Sequence, residues 1–118
     1  MKSGSKVKSE ILLQSSESWN NLPMPSYLEG TPQCTILKIT VPPHTRLDVH
    51  QHPMMNAGVI ISGELHVVDC DGNEITLHHG DPILECVGKM HYGENLTDSD
   101  TVLYMFYAGV VGVPLSES

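Results

Sequence analysis

The sequence predicts an all-β fold, a small sandwich or barrel, on three observations. Short apolar runs recur along the chain, bounded by Gly, Pro, Asn, Asp or Ser, as strands joined by turns do. Pro23, Pro25 and Pro32 forbid a long helix in the one early stretch with no strand period. His50 and His52 are one residue apart, the spacing that projects two side chains from one face of a strand.

Taken in order, residues 1–9 (MKSGSKVKS) are Ser- and Lys-rich and are expected to be disordered. Residues 10–32 show no clean period and are expected to wrap the barrel, whose domain should occupy residues 33–118. Strands are predicted at Thr35–Val41, Leu47–His52, Ala57–Ser62, Leu65–Asp69, Glu74–Leu77, Ile83–Cys86, His91–Glu94 and Thr101–Ala108. Asp71-Gly72 marks a hairpin, with Gly supplying the positive φ of a tight turn, and Gly63 and Gly80 mark further turns. The runs Val59–Ile61 and Val102–Tyr107 are apolar on both parities, which predicts that both faces of those strands are covered. Either the N-terminal segment or a second subunit must do this, and a homodimer is expected.

Composition narrows the class. At 118 residues the chain is one domain, and no apolar run is long enough to span a bilayer. The basic start leads into polar sequence instead of an apolar signal core, so a cytoplasmic location is expected. Cys34, Cys70 and Cys86 form no CxxC pair, which argues against a disulfide framework or a cysteine zinc site. Formal net charge is −8, and three of the six basic residues are Lys2, Lys6 and Lys8. The acidic body should repel nucleic acid and anionic membranes, leaving a small molecule as the expected partner.

The histidines carry the chemistry. His50 and His52 face one way from one strand, and His91 comes from a later strand that crosses it. Neutral imidazole ligates Zn, Fe, Cu and Ni, and three such ligands leave positions open for reaction. Two spaced motifs extend the pattern. His44 to Gly63 resembles G(X)5HXH(X)3–4E(X)6G, and Gly80 to Asn95 resembles G(X)5PXG(X)2H(X)3N, which are the two cupin motifs. Three positions depart from them: His44 for the opening Gly, Asn56 for the Glu, and Cys86 for the Pro. The resemblance spans about residues 33 to 113. It is strongest to the small single-domain cupin_2 proteins, whose ends read FYAG and then G-x-P, as Phe106–Gly109 and Gly112–Pro114 do.

The resemblance implies a double-stranded β-helix, or jelly-roll, barrel with a divalent transition metal on His50, His52 and His91. Without a carboxylate at position 56 the ion keeps its full charge, which favours Fe, Ni or Zn, with Cu also accommodated and Mn less so. Asn56 is then a candidate for hydrogen bonding to a bound water or substrate. Glu85 interrupts an apolar strand and, facing inward, would be a general base or a substitute ligand. Arg46, the single arginine, shares parity with His50 and is a candidate clamp for an anionic substrate. Tyr104 is a candidate pocket wall. Met54 and Met55 could form an apolar lip over the site. His66, His78 and His79 read as solvent-facing, and His44 as a structural residue that tolerates positive φ. Two functions fit: an enzyme with dioxygenase-like, lyase or isomerase chemistry at the metal, or a non-catalytic module that binds or senses a metal or small ligand.

Overall fold

The structure is a computed structural model that describes residues 6–118. Eight strands occur among the described residues: β1 (Pro32–Val41), β2 (Thr45–Arg46), β3 (Asn56–Ser62), β4 (Glu64–Asp69), β5 (Glu74–His78), β6 (Pro82–Leu84), β7 (His91–Asn95) and β8 (Thr101–Val110). They form two antiparallel four-stranded sheets in the orders β1-β8-β3-β6 and β2-β7-β4-β5, the jelly-roll barrel expected from the sequence. Alternation sorts the side chains. Leu103, Met105 and Tyr107 of β8 face inward, where they meet Val41, Ile60, Leu65, Val67, Leu77 and Ile83.

One strand expectation fails. The predicted strand Leu47–His52 is not continuous: β2 is only Thr45–Arg46, and beyond it single bridges join His50 to His91 and Gln51 to Glu117. At this point the Asp48 carbonyl accepts from the ring of its near neighbour, His50 Nδ1, at 2.7 Å. On the outer face of β8, Tyr104 and Phe106 remain 43% and 42% exposed, so of the two covers expected the described N-terminal residues do not supply this one. Met54, expected in a lip, is instead 2% exposed within the core.

Turn positions have evident causes. His44 adopts φ 53° in the place of the motif's opening Gly, and its Nε2 lies 2.6 Å from Asp98 Oδ1. Gly63 has φ +81°, and a Cβ there would meet the Asp100 carbonyl oxygen at 2.7 Å. Asn95, fully buried, donates to the carbonyls of Val41, Pro42 and Ser99 while its Oδ1 accepts from Thr97, so one side chain ties the β7–β8 turn to the end of β1.

Gly58 lies mid-sheet opposite Met105 of β8 and Ile83 of β6, and a Cβ there would collide with the Tyr104 carbonyl and the Met105 sulfur. Gly58→Ala should therefore cost about 1–3 kcal/mol or more through overpacking. Urea denaturation measures it; a wild-type midpoint would show that the two strands are not this close.

The N-terminal segment is partly docked. Trp19 N donates to the Leu84 carbonyl at 3.0 Å, and Asn20 Nδ2 donates to Asp69 Oδ2 at 2.8 Å. Ile11, Leu12 and Leu13 stay exposed. Residues 6–9 are exposed and outside any strand or helix, and the expectation of disorder over 1–9 falls, for 1–5, outside the described residues. Burial pushes the Asp69 carboxyl up. Hydrogen bonds from Asn20, Asn73 and the backbone of Asp71 and Asn73 outweigh this and hold it at about 2. A folded-state pKa below the unfolded value of about 3.9 contributes stability that is present above that value and lost as pH falls toward about 2. Asp69→Asn should flatten that acid dependence in urea titrations between pH 5 and 2, whereas an unchanged slope would assign it to other carboxylates.

Candidate metal centre

The mouth of the barrel brings together His50 and His52, from the bridged segment after β2, and His91, the first residue of β7. Their ligand atoms lie within 4.8 Å of one another, and the ring centroids are 4.5 to 5.0 Å apart. His52 and His91 are buried and His50 half-buried. Each ring is oriented in the same manner: Nδ1 donates to a backbone carbonyl, that of Asp48 for His50 (2.7 Å), Leu115 for His52 (2.9 Å) and Lys89 for His91 (2.9 Å). In the neutral ring the proton then sits on Nδ1 and Nε2 offers its lone pair, which is how ligating histidines are usually held. The donor set suits a divalent transition metal.

The rings open on an inner chamber of about 60 Å³ with walls that include Ile39, Leu47, Leu65, Val67, Leu103 and Tyr107, and with Glu85 at the same site. Outside it, His50 and His52 also line a wider mouth of about 430 Å³ bordered by Asp48, Val49 and residues 116–118.

Comparison with known proteins places this architecture. The Cupin domain family matches residues 37–107. The chain belongs to the cupin family. A search of curated proteins finds no match. Among solved structures, this cupin is similar to an uncharacterized conserved protein with a double-stranded β-helix domain from Klebsiella pneumoniae (20% identity, 98% of this chain and 100% of that one, TM-score 0.62). It is also similar to a cupin-superfamily sugar phosphate isomerase from Silicibacter pomeroyi (21% identity, 64% and 50% covered, TM-score 0.57). A third is a predicted oxalate decarboxylase from Thermotoga maritima (21%, 64% and 65%, TM-score 0.56). This cupin spans half of the isomerase, and these identities carry the fold alone.

In this cupin the position of the motif glutamate is Asn56, which is 1% exposed. Its Nδ2 donates to the Met54 carbonyl at 3.0 Å, its Oδ1 has no partner, and it is not among the residues that line the chamber. A carboxylate is present nonetheless. Glu85, just past β6, is bonded through its backbone N–H to the Asn56 carbonyl (3.0 Å), and its Oε2 lies 2.9 Å from His91 Nε2 and 3.8 Å from His52 Nε2. The imidazole nitrogen of His91 and the carboxylate of Glu85 thus converge on the same space, while Glu85 Oε1 is buried without a partner.

Burial pushes Glu85 up, but His52 and His91 together outweigh it and hold the carboxyl at about 2. The same interaction, seen from the ring, overcomes the burial of His91 and, with the Cys86 thiol, raises it to about 10. Burial, opposed by the bond to Asp48, leaves His50 below the ordinary imidazole value. Burial likewise raises Tyr107 to about 12, so its phenol faces the chamber neutral.

Other sequence candidates lie elsewhere. Arg46 points away from the chamber: its Nε donates to Glu94 Oε2 at 2.9 Å and its guanidinium stacks 4.4 Å from the centre of the Tyr92 ring. The parity that relates it to His50 is broken where β2 ends. Tyr104 lies on the outer face, opposite in parity to Tyr107. Neither lines the chamber or its mouth. His66, expected in solvent, is 18% exposed, with Nδ1 2.9 Å from Glu94 Oε1 and Nε2 3.3 Å from Glu74 Oε1, so the outer face of the second sheet carries an Arg46–Glu94–His66–Glu74 chain of charge. Sequence reasoning could not see the carbonyls of Asp48, Lys89 and Leu115 that aim the rings, because backbone acceptors have no residue-type signature.

Proposed function

We propose that this cupin binds one divalent transition metal on His50, His52 and His91 with Glu85 as an additional protein ligand, and uses it as a small-molecule enzyme. The observation that supports this most is the 2.9 Å approach of Glu85 Oε2 to His91 Nε2, beside the unpartnered and buried Glu85 Oε1. Buried polar atoms left unpaired this way are costly, and an ion would satisfy them. Glu85 thus takes the part that the motif's glutamate plays, from the neighbouring strand. An anionic oxygen lowers the net charge of the site and widens the choice of ion from Zn and Ni toward Fe(II) and Mn(II).

Such an ion supplies Lewis-acid or oxygen-dependent chemistry at the positions its protein ligands leave open. The chain's residues supply the rest. The apolar walls exclude water and strengthen electrostatic interactions with whatever enters. At about 60 Å³ the chamber holds one or two molecules of water or dioxygen size, so a larger substrate must sit in the outer mouth and reach inward past His50. Among the described residues neither space is lined by Lys or Arg, so an anionic substrate would find no basic side chain there besides the histidines of the centre. These features favour a dioxygenase-like reaction on an uncharged or weakly charged substrate. Oxygen uptake by the iron-loaded chain, run over thiols, diketones, flavonols and small carboxylic acids, tests it. Uptake with one class is expected; uptake with none, while iron stays bound, would favour the non-catalytic binding module.

We also propose that the outer face of β1, β3 and β8 pairs with a second copy of the chain. Ile36 and Phe106 are register partners, and with Tyr104 and Ile61 they form an exposed apolar strip. Light scattering should report twice the chain mass, and Phe106→Glu should halve it. A monomeric wild type at micromolar concentration would end this reading.

A further inference from the structure

The two ligands His50 and His52 sit on a piece of chain beyond the end of β2, tied on one side by Leu47 N to the Gly93 carbonyl, the reciprocal His50–His91 pair and Gly88 N to the His52 carbonyl, and on the other by a bridge to Glu117. That bridge reaches the segment after β8. There the chain turns at Gly112, packs Val113 and Leu115 against the core, and runs back across the barrel mouth. Gln51 N donates to the Glu117 carbonyl and Glu117 N to the Gln51 carbonyl, both at 2.8 Å, and the Leu115 carbonyl accepts from His52 Nδ1 at 2.9 Å. These three bonds bracket His52 on its ring and on the backbone of the residue before it.

We infer that residues 115–117 are a positioning element for the metal centre. The inference rests on the metal reading proposed above and assigns this segment a role that neither motif contains. The Leu115 carbonyl holds the proton on Nδ1 and turns Nε2 of His52 toward the other ligands. The reciprocal Gln51–Glu117 pair holds the segment from the side opposite β7, so that the residue between His50 and His52 is fixed on both flanks. Leu115 serves both ends of this arrangement, since its side chain anchors the segment in the core while its carbonyl meets the ring. Without these contacts His52 would be free to rotate or to change tautomer, and the site would lose both affinity and a defined geometry.

The test uses Co(II) and Zn(II) as probes on the full chain and three variants. Glu117→Pro removes the N–H that bonds to Gln51, Glu117→Ala keeps it and removes only the side chain, and deletion of 115–118 removes all three bonds. The deletion, which takes the Leu115 carbonyl from His52, should weaken Zn(II) binding by roughly 10- to 100-fold, as loss of outer partners of ligating histidines does; Glu117→Pro should weaken it in the same direction by a smaller factor, and both should alter the visible spectrum of the Co(II) form. Glu117→Ala should match wild type in both. Circular dichroism and thermal melting establish that each protein is folded, and if the deletion is not, Glu117→Pro against Glu117→Ala decides alone. Wild-type affinity and an unchanged Co(II) spectrum in folded Glu117→Pro would overturn the positioning role while leaving the metal site standing. A wild-type chain that takes up neither ion would overturn both.

Discussion

His91→Ala is expected to lower affinity for Zn(II) or Fe(II) by about 100-fold or more, the largest effect of any single substitution on the centre. His91 is 1% exposed, its ring is fixed by the Lys89 carbonyl, and its backbone exchanges two hydrogen bonds of 2.9 Å with His50. Alanine keeps those backbone bonds, so the loss should appear in metal binding before it appears in folding. Elemental analysis after metal loading measures it directly, and an ion content equal to wild type would remove the central claim about the site. Proton release should accompany uptake. In the metal-free chain His91 is raised to about 10 by Cys86 and Glu85, which overcome burial, while Glu85 at about 2 is already ionised. A ring that is protonated at neutral pH must lose its proton to ligate, so affinity should rise with pH up to about 10 and fall in acid. Calorimetry in buffers of different ionisation enthalpy counts that proton, and the count should vanish in His91→Ala.

Glu85→Gln is expected to weaken Mn(II) and Fe(II) binding by roughly 10- to 100-fold while weakening Zn(II) less, since the harder ions gain most from an anionic oxygen. Glutamine preserves volume in a residue that is 8% exposed, so packing should change little. The companion variant is Asn56→Glu. Because Glu85 N bonds to the Asn56 carbonyl, residues 56 and 85 lie side by side on adjoining strands. Added to wild type, a second buried carboxylate would repel the first and should not improve binding. Added to Glu85→Gln, it should restore Mn(II) affinity. Equal Mn-to-Zn ratios in wild type and Glu85→Gln would show that Glu85 does not ligate, and would leave it as a candidate base.

Much of this was legible in one dimension. Strand existence follows from apolar runs cut by turn residues, and seven of the eight strands overlap their predicted spans, β2 being the exception. The three histidines were legible because i, i+2 parity and motif spacing are local properties of the chain. Parity also singled out Glu85 as a polar residue in an apolar strand. It misled at Arg46, since the rule holds only while the strand continues and β2 stops at that residue. It was silent on Tyr104, because a run apolar on both faces does not say which face is the inner one.

The sequence by itself therefore determined the fold class, the family and the set of imidazoles, all of which depend on side-chain type at short spacing. Only the tertiary structure decided that the buried carboxylate of the site belongs to Glu85 and not to position 56. Only it brought the Leu115 carbonyl 63 residues along the chain to the ring of His52. Both depend on which strands lie side by side and where backbone carbonyls point. Those are set by long-range packing, and no residue pattern encodes an acceptor that every amino acid carries.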